Sequence, residues 1–301
     1  MDKKGISNNP DKVESLIHTA KHGSVLHRKD AIKALGETRD KRAIPPLVEI
    51  LKTEFQSGER EAAADSLEKL RWKPVNDVDK AYLLIARRRW KELAQLGAKY
   101  LIFALKWPNE REVTPYLVRM GKAATEPLIE ALESGNYNRQ AIATVLGELG
   151  DKRAAAPLAQ ILKEQGAWYD LKNKVAQTLN KLGYEPRDDV EKAYLLIAAK
   201  KWGEAAELGE PAVEPLIQVL RRFGWPEARE ALVRIGKPTV EPLIQSLGEH
   251  AAWARFQAAT ALGEIGDRKA LEPLTQLLAS EKQEEIKEAA KKALEKIKTK
   301  V

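Results

Sequence analysis

The 301-residue sequence contains no cysteine. Disulfides, thiolate metal sites and cysteine nucleophiles are therefore excluded outright, and the composition suits a cytoplasmic address. Long apolar runs are missing as well. The longest, such as Tyr100–Leu105, meet charge within a few residues, well short of the roughly 18 apolar residues of a membrane span. The opening stretch, MDKKGISNNPDKVE, is polar and lacks the apolar core of a signal peptide. Aromatic residues make up only 6%, and β-branched runs are scarce, which weighs against strands. GxGxxG, GxxxxGK[ST] and GxSxG do not occur, so neither a phosphate-cradling loop nor a nucleophile elbow has sequence support.

What is abundant is Leu, Ala, Lys and Glu, residues that lose little freedom on entering a helix. Apolar residues at 44% and charged residues at 32% supply a core and a well-solvated surface. The net charge of +7 is a modest excess of 51 basic over 44 acidic side chains; it permits an anionic partner without demanding one. Abundant Lys and Glu with only two Met also suit a thermostable protein.

One phrase recurs along the chain: ALGETRDKRAIPPLVEIL from Ala34, YLVRMGKAATEPLIEAL from Tyr116, VLGELGDKRAAAPLAQIL from Val145, ALVRIGKPTVEPLIQSL from Ala231 and ALGEIGDRKALEPLTQLL from Ala261. A fainter copy starts at Ala206. Gly121, Gly150, Gly236 and Gly266 stand where a left-handed residue stops a helix. Asp40, Asp151 and Asp267 stand where the next helix needs an N-cap. Pro46, Pro127, Pro157, Pro215, Pro242 and Pro273 fall in first helical turns, where proline is tolerated. The Leu-rich stretch that follows supplies an apolar face at helical spacing, and Ala-rich helices between the phrases suit close packing.

A longer period overlies this one. Asp77-Val-Asp-Lys-Ala-Tyr-Leu-Leu-Ile-Ala, followed by Trp90, returns 112 residues later as Asp189-Val-Glu-Lys-Ala-Tyr-Leu-Leu-Ile-Ala, followed by Trp202. Each copy holds a shortened helix pair, with its Trp in a plugging role. The expected architecture is an all-α solenoid of about ten antiparallel helix pairs, two of them shortened. The expected layout is a flexible tail over 1–10 and a single solenoid over 11–301. Within the solenoid, block 1 spans about 36–147, block 2 about 148–263, and a partial third block with a C-terminal cap covers 264–301. The first block has a break in the stack near 98–110, where AKYLIFALKWP is shorter than its counterpart.

With LGxxGDxRAxxPLxxxL at their heart, these phrases resemble the HEAT-like repeats named after the phycobilisome lyases, from about Asp11 to the end. The resemblance implies an α-solenoid. It leaves function open, because chromophore lyases, di-iron hydroxylases and binding scaffolds share the repeat. The hydroxylases carry His-Glu pairs as iron ligands; here the four histidines precede Thr, Gly, Arg and Ala. His18 and His22 share a helical face near Glu14 and His27, but no HExxH is formed, and a polar face of an end helix explains them. No catalytic residues, metal ligands or cofactor are expected, and no bilin pocket is identifiable.

The expected role is a non-enzymatic scaffold that binds another protein on the concave face, where second helices of a solenoid line up. Helical spacing selects Tyr137, Gln140, Tyr169, Asn173, Gln177, Trp253, Phe256 and Gln257 as exposed positions there. Two alternatives compete. One is a lyase-like protein handling a small molecule or chromophore. The other is nucleic-acid binding through the basic segment 87–107, with Arg87, Arg88, Arg89, Lys91 and Lys99 interleaved with aromatics. Residues 77–121 hold nine basic and five acidic side chains.

Overall fold

Each repeat phrase folds by the same local rule. In the computed structural model, which describes residues 10–53 and 57–299, the first unit of the chain ends at Leu149. It contains α1 (Pro10–His22), α2 (Val25–Glu37), α3 (Ile44–Thr53), α4 (Ser57–Lys69), α5 (Asp77–Ala86), α6 (Trp90–Gln95), α7 (Ala98–Ala104), α8 (Glu110–Met120), α9 (Thr125–Ser134) and α10 (Arg139–Leu149). The second unit begins at Gly150. It contains α11 (Ala155–Lys163), α12 (Tyr169–Lys181), α13 (Asp189–Ala198), α14 (Trp202–Glu207), α15 (Val213–Phe223), α16 (Pro226–Ile235), α17 (Val240–Ser246), α18 (Ala252–Ile265), α19 (Leu271–Ser280) and α20 (Glu284–Thr299). Successive helices pack as pairs, from α1 with α2 to α19 with α20. Among the described residues that makes ten pairs and no strand. The shortened pairs are α5 with α6 and α13 with α14, each a helix of ten residues followed by one of six. No helix among the described residues is long and apolar enough to cross a membrane. Of the expected tail over 1–10, residues 1–9 lie outside the described part, and Pro10 already opens α1.

Six first helices of pairs are entered through a short 3-10 turn, and each carries proline as its third residue: Pro46, Pro127, Pro157, Pro215, Pro242 and Pro273. A helix's first amides have no intrahelical acceptor, so the missing N–H costs nothing there. Asp40, Asp151 and Asp267 cap these 3-10 turns rather than the α-helices behind them, accepting from the backbone N–H of Arg42, Arg153 and Lys269. The 3-10 turn intervenes because it re-aims the chain between stacked helices. Gly121, Gly150, Gly236 and Gly266 all take positive φ; Gly266 is left-handed as expected, whereas Gly121 and Gly236, with ψ of −139° and −129°, turn the chain outside the left-handed region. Arg39, which stands where Gly150 does in its own phrase, takes φ of 56° without that freedom.

The core is a row of small and branched side chains. In the first unit Leu35, Leu47, Leu51, Ala63, Ala64 and Leu67 are fully buried; in the second Leu216, Leu232, Ala258, Ala261, Leu262 and Ala290 are. Trp90 is buried and donates from Nε1 to Glu112 at 2.8 Å, tying α6 of the short pair to α8 of the next. Trp202, its counterpart, is only half-buried and meets Trp225 edge-on at 5.9 Å. In the first unit α7 has seven residues and is followed by a turn up to Pro108, whereas α15 has eleven.

Candidate functional site

The shortened helix α13 leaves its last carbonyls short of partners, and α12 supplies them. Tyr169 Oη approaches the carbonyls of Ile197 and Ala198 at 3.2 and 3.1 Å, and Asn173 Nδ2 donates to Ala198 at 2.7 Å. Lys200 then leaves the helix at φ of 60°, as Arg88 leaves the equivalent helix at 52°. Because α13 stops early, a cleft of about 290 Å³ remains between α12, α13 and α15. Tyr169, Tyr194, Ile197, Val219 and Phe223 form its walls, and Lys172, Glu214 and Gln218 supply its polar groups. Tyr169, Phe223 and Trp225 pack against one another, with Tyr169 edge-on to Trp225 at 4.4 Å.

The cleft is electrostatically uneven. Burial, reinforced by the Arg222 charge and opposed by Glu164, brings the Lys172 ammonium down to about 8. Burial pushes the Tyr169 phenol up to about 12, with the Asn173 hydrogen bond opposing it. Lys172 lies over the ring of Tyr194 at 5.7 Å. Gln218 donates to both Tyr194 Oη and Glu214. Arg222 donates to the carbonyls of Gln165 and Gly166 at the rim.

Two larger hollows, one at Phe256 and Gly263 against α20 and one at Trp72 and Arg87, mix apolar floors with charged or polar rim side chains. They lack a comparable set of half-buried polar groups facing aromatic walls.

Beside the cleft, two indoles flank the C-terminal end of α15. Trp168 is 74% exposed and has the Arg222 guanidinium over its ring at 5.7 Å. Trp253 is 52% exposed, yet held: its Nε1 donates to the Arg221 carbonyl at 3.1 Å. Its ring covers Gly224, where φ is 63° and a Cβ would lie 2.6 Å from the indole. Gly224 is thus required twice, for its conformation and for the space above it.

The expected partner-binding residues divide. Trp253, Gln140 and Gln177 are exposed, while Tyr137, Tyr169, Asn173 and Phe256 are half-buried. Gln257 does not fit the exposed-face expectation. It is buried, donating to the Gly224 carbonyl at 2.8 Å and accepting from Arg229 at 3.2 Å. The helical spacing was right, but the end of α15 sits over that position and needs a donor for its last carbonyl. Tyr169 and Asn173 lie together at the cleft, with Gln177 hydrogen-bonded to Asn173. Trp253 belongs to the neighbouring surface, and Tyr137 lies in the other unit.

The basic segment is largely neutralised. Arg87 pairs with Asp65 and Glu68, Arg88 with Glu112 and Arg89 with Glu92. Lys91 is exposed, and Lys99 lies over the Tyr100 ring at 4.8 Å. His18 and His22 have ring centroids 5.0 Å apart, and among the described residues no group of three or more His, Asp or Glu could hold a metal ion.

The sequence reading missed Trp168, Lys172, Tyr194, Arg222 and Phe223. Trp168, directly before α12, carried a weak signal: a Trp at a helix start, with Leu171 and Val175 at helical spacing making it look like an ordinary apolar-face residue. Lys172 and Arg222 carried none, since they look like ordinary helix surface until α13 is seen to stop early.

Comparison with known proteins addresses the fold. The HEAT repeats model matches residues 5–68 and 213–295, and the PBS lyase HEAT-like repeat model matches residues 139–164. No curated protein matches. Among solved structures, one crystal structure of an engineered protein is 18% identical over 95% of this chain and 88% of its own, with a TM-score of 0.28. A second engineered protein is 20% identical over 95% of this chain and 96% of its own, with a TM-score of 0.21. Scores of that size carry no argument about shape or function. Ten helix pairs among the described residues, six of them entered by the same proline-bearing turn, and matched segments in the first pair and the last, make the chain a HEAT-like repeat protein.

Proposed function

We propose that the chain is a non-catalytic scaffold that holds a partner protein against the end of α15 in its second unit. The observation that carries this reading is the pair of exposed indoles, Trp168 and Trp253, on either side of Arg221 and Arg222. Trp and Arg are the side chains on which interface energy concentrates. Trp253 is already fixed by its hydrogen bond to Arg221, so binding costs little further side-chain freedom. The rival basic surface is less suited to phosphates, because Arg87, Arg88 and Arg89 already face carboxylates.

The test compares complexes isolated with the wild-type chain and with a Trp168→Ala, Trp253→Ala double variant. Truncating two central aromatic anchors costs roughly 2 kcal/mol each, about a thousandfold in affinity together. The variant is expected to lose the bound protein while keeping its helical circular dichroism. A partner held equally by both chains refutes the proposed surface.

A further inference from the structure

We propose that the cleft between α12, α13 and α15 binds a small aromatic carboxylate, with Lys172 as the carboxylate's partner. This goes beyond the scaffold reading and does not depend on it, since the indoles of Trp168 and Trp253 do not line the cleft.

Four charged side chains border the cleft, and three are committed. Arg221 donates to Ser246 and pairs with Glu249. Arg222 is held by the carbonyls of Gln165 and Gly166. Glu214 accepts from Gln218. Lys172 is the exception: among the described residues it has no carboxylate within ion-pair distance, only the face of Tyr194 at 5.7 Å. A half-buried ammonium is costly without a counter-ion, and a ring face compensates it only in part. The group that would complete the site is an anion.

The walls say which anion. Tyr169, Tyr194 and Phe223 offer aromatic faces and edges, and Ile197 and Val219 close the space with aliphatic surface. Edge and face packing on such walls favours a ring. A volume of about 290 Å³ sits at the lower end of ligand pockets, roughly 300–1,000 Å³, which suits one or two fused rings. Glu214 on the same lining opposes a dianion such as phosphate, so a singly charged carboxylate fits better.

The first unit arranges the equivalent position differently. Arg60 precedes Lys172 by the 112-residue period, and it is 4% exposed with its guanidinium over Trp107 at 4.2 Å. There the cation lies close over an aromatic ring of the chain itself, nearer than Lys172 lies to Tyr194. In the second unit the counterpart Trp225 packs on Tyr169 instead, and Lys172 is left facing the cleft.

The experiment is a calorimetric titration of the full chain with 2-naphthoate and with its neutral counterpart 2-naphthamide. One 2-naphthoate is expected to bind per chain, at least about tenfold more tightly than the amide. Lys172→Met should weaken 2-naphthoate at least about tenfold, and Lys172→Arg should keep it within a few-fold. Val219→Trp, which fills the cleft without touching a charge, should abolish binding. At pH 8 binding should also take up protons, seen as a dependence of the heat on buffer ionisation, and Lys172→Met should remove it. The groups that face Lys172 are Tyr169 on its own helix, Tyr194 on α13 and Glu214 and Arg222 on α15; beside burial, the Arg222 charge lowers its protonation and Glu164 before α12 raises it. Equal affinity for the amide, unchanged binding in a folded Lys172→Met chain, or no binding at millimolar 2-naphthoate each overturns the proposal. Should Lys172→Met lose its helical circular dichroism, the Lys172→Arg and Val219→Trp titrations decide in its place.

Discussion

Gly263 lies in α18 where that helix packs on α20. A Cβ built there would stand 2.6 Å from Ala293 Cα and 2.7 Å from its Cβ, closer than real Cβ atoms come. Helix propensity alone favours alanine over glycine by about 1 kcal/mol. The contact is with backbone and Cβ, which cannot swing aside, and overpacking of this kind costs about 1–3 kcal/mol. Gly263→Ala is therefore expected to destabilise the chain, seen as a lower denaturant midpoint at unchanged slope; a raised midpoint contradicts the packing account. At this scale the sequence was partly legible. The Ala-Leu-Gly ending of the helix signals close approach, whereas Arg39 and Arg71, at φ of 56° and 58°, look like ordinary surface residues. Gln257 was misread as exposed for a different reason: one-dimensional spacing finds a helix face but not the carbonyl of Gly224 that arrives over it.

The short helices show how a duplicated element keeps its shape. Asn76 caps α5 by accepting from Asp79 N–H at 2.9 Å, and Asp188 caps α13 by accepting from Glu191 N–H at 2.7 Å. In each copy the third residue reaches back: Asp79 accepts from Val75 N–H at 3.4 Å and Glu191 from Arg187 N–H at 2.8 Å. This is a variant of the capping box, reaching one residue further back. Glu191 is buried, takes two further bonds from Arg187 and one from Tyr184, and has Lys163 at 3.6 Å. The Arg187 hydrogen bond holds its carboxyl well below the usual value of 4.5, at about 2, against the opposing effect of burial. Glu281, bound by Arg255 at 2.6 Å, is lowered to about 2 in the same way. A carboxyl lowered on folding contributes stability that is present above its unfolded value and lost as pH falls through the folded one. The thermal midpoint is accordingly expected to be insensitive to these two groups above pH 5 and to fall between about 4.5 and 2. Glu191→Gln should flatten part of that fall, and Glu191→Ala should cost about 3 kcal/mol at neutral pH by leaving its buried partners unmatched. An identical acid profile for wild type and Glu191→Gln contradicts this assignment.

At the scale of the molecule the repeat architecture was the most legible property, because six of the ten described pairs restate the same turn, proline and leucine pattern. The ten described pairs, two of them short, could be counted from spacing alone. The site was not legible, because a cleft is made by the early end of α13, and its polar lining comes from three helices that look unremarkable one at a time. Residues 150–301 hold their own core, from Ala193 to Ile297. We propose that this half folds by itself, since repeat proteins draw stability from nearest neighbours. The fragment is expected to show helical circular dichroism and a cooperative thermal transition; a non-cooperative, ANS-binding state contradicts it. The central claim, that the chain holds a partner protein beside α15, is tested most directly by photocrosslinking in the cells that make it. A photoreactive phenylalanine is placed at position 168 or 253, or at the exposed Glu272 as control. The account predicts the same discrete protein adduct from 168 and 253 and none from 272; no adduct from either indole position, or the same adduct from all three, contradicts it.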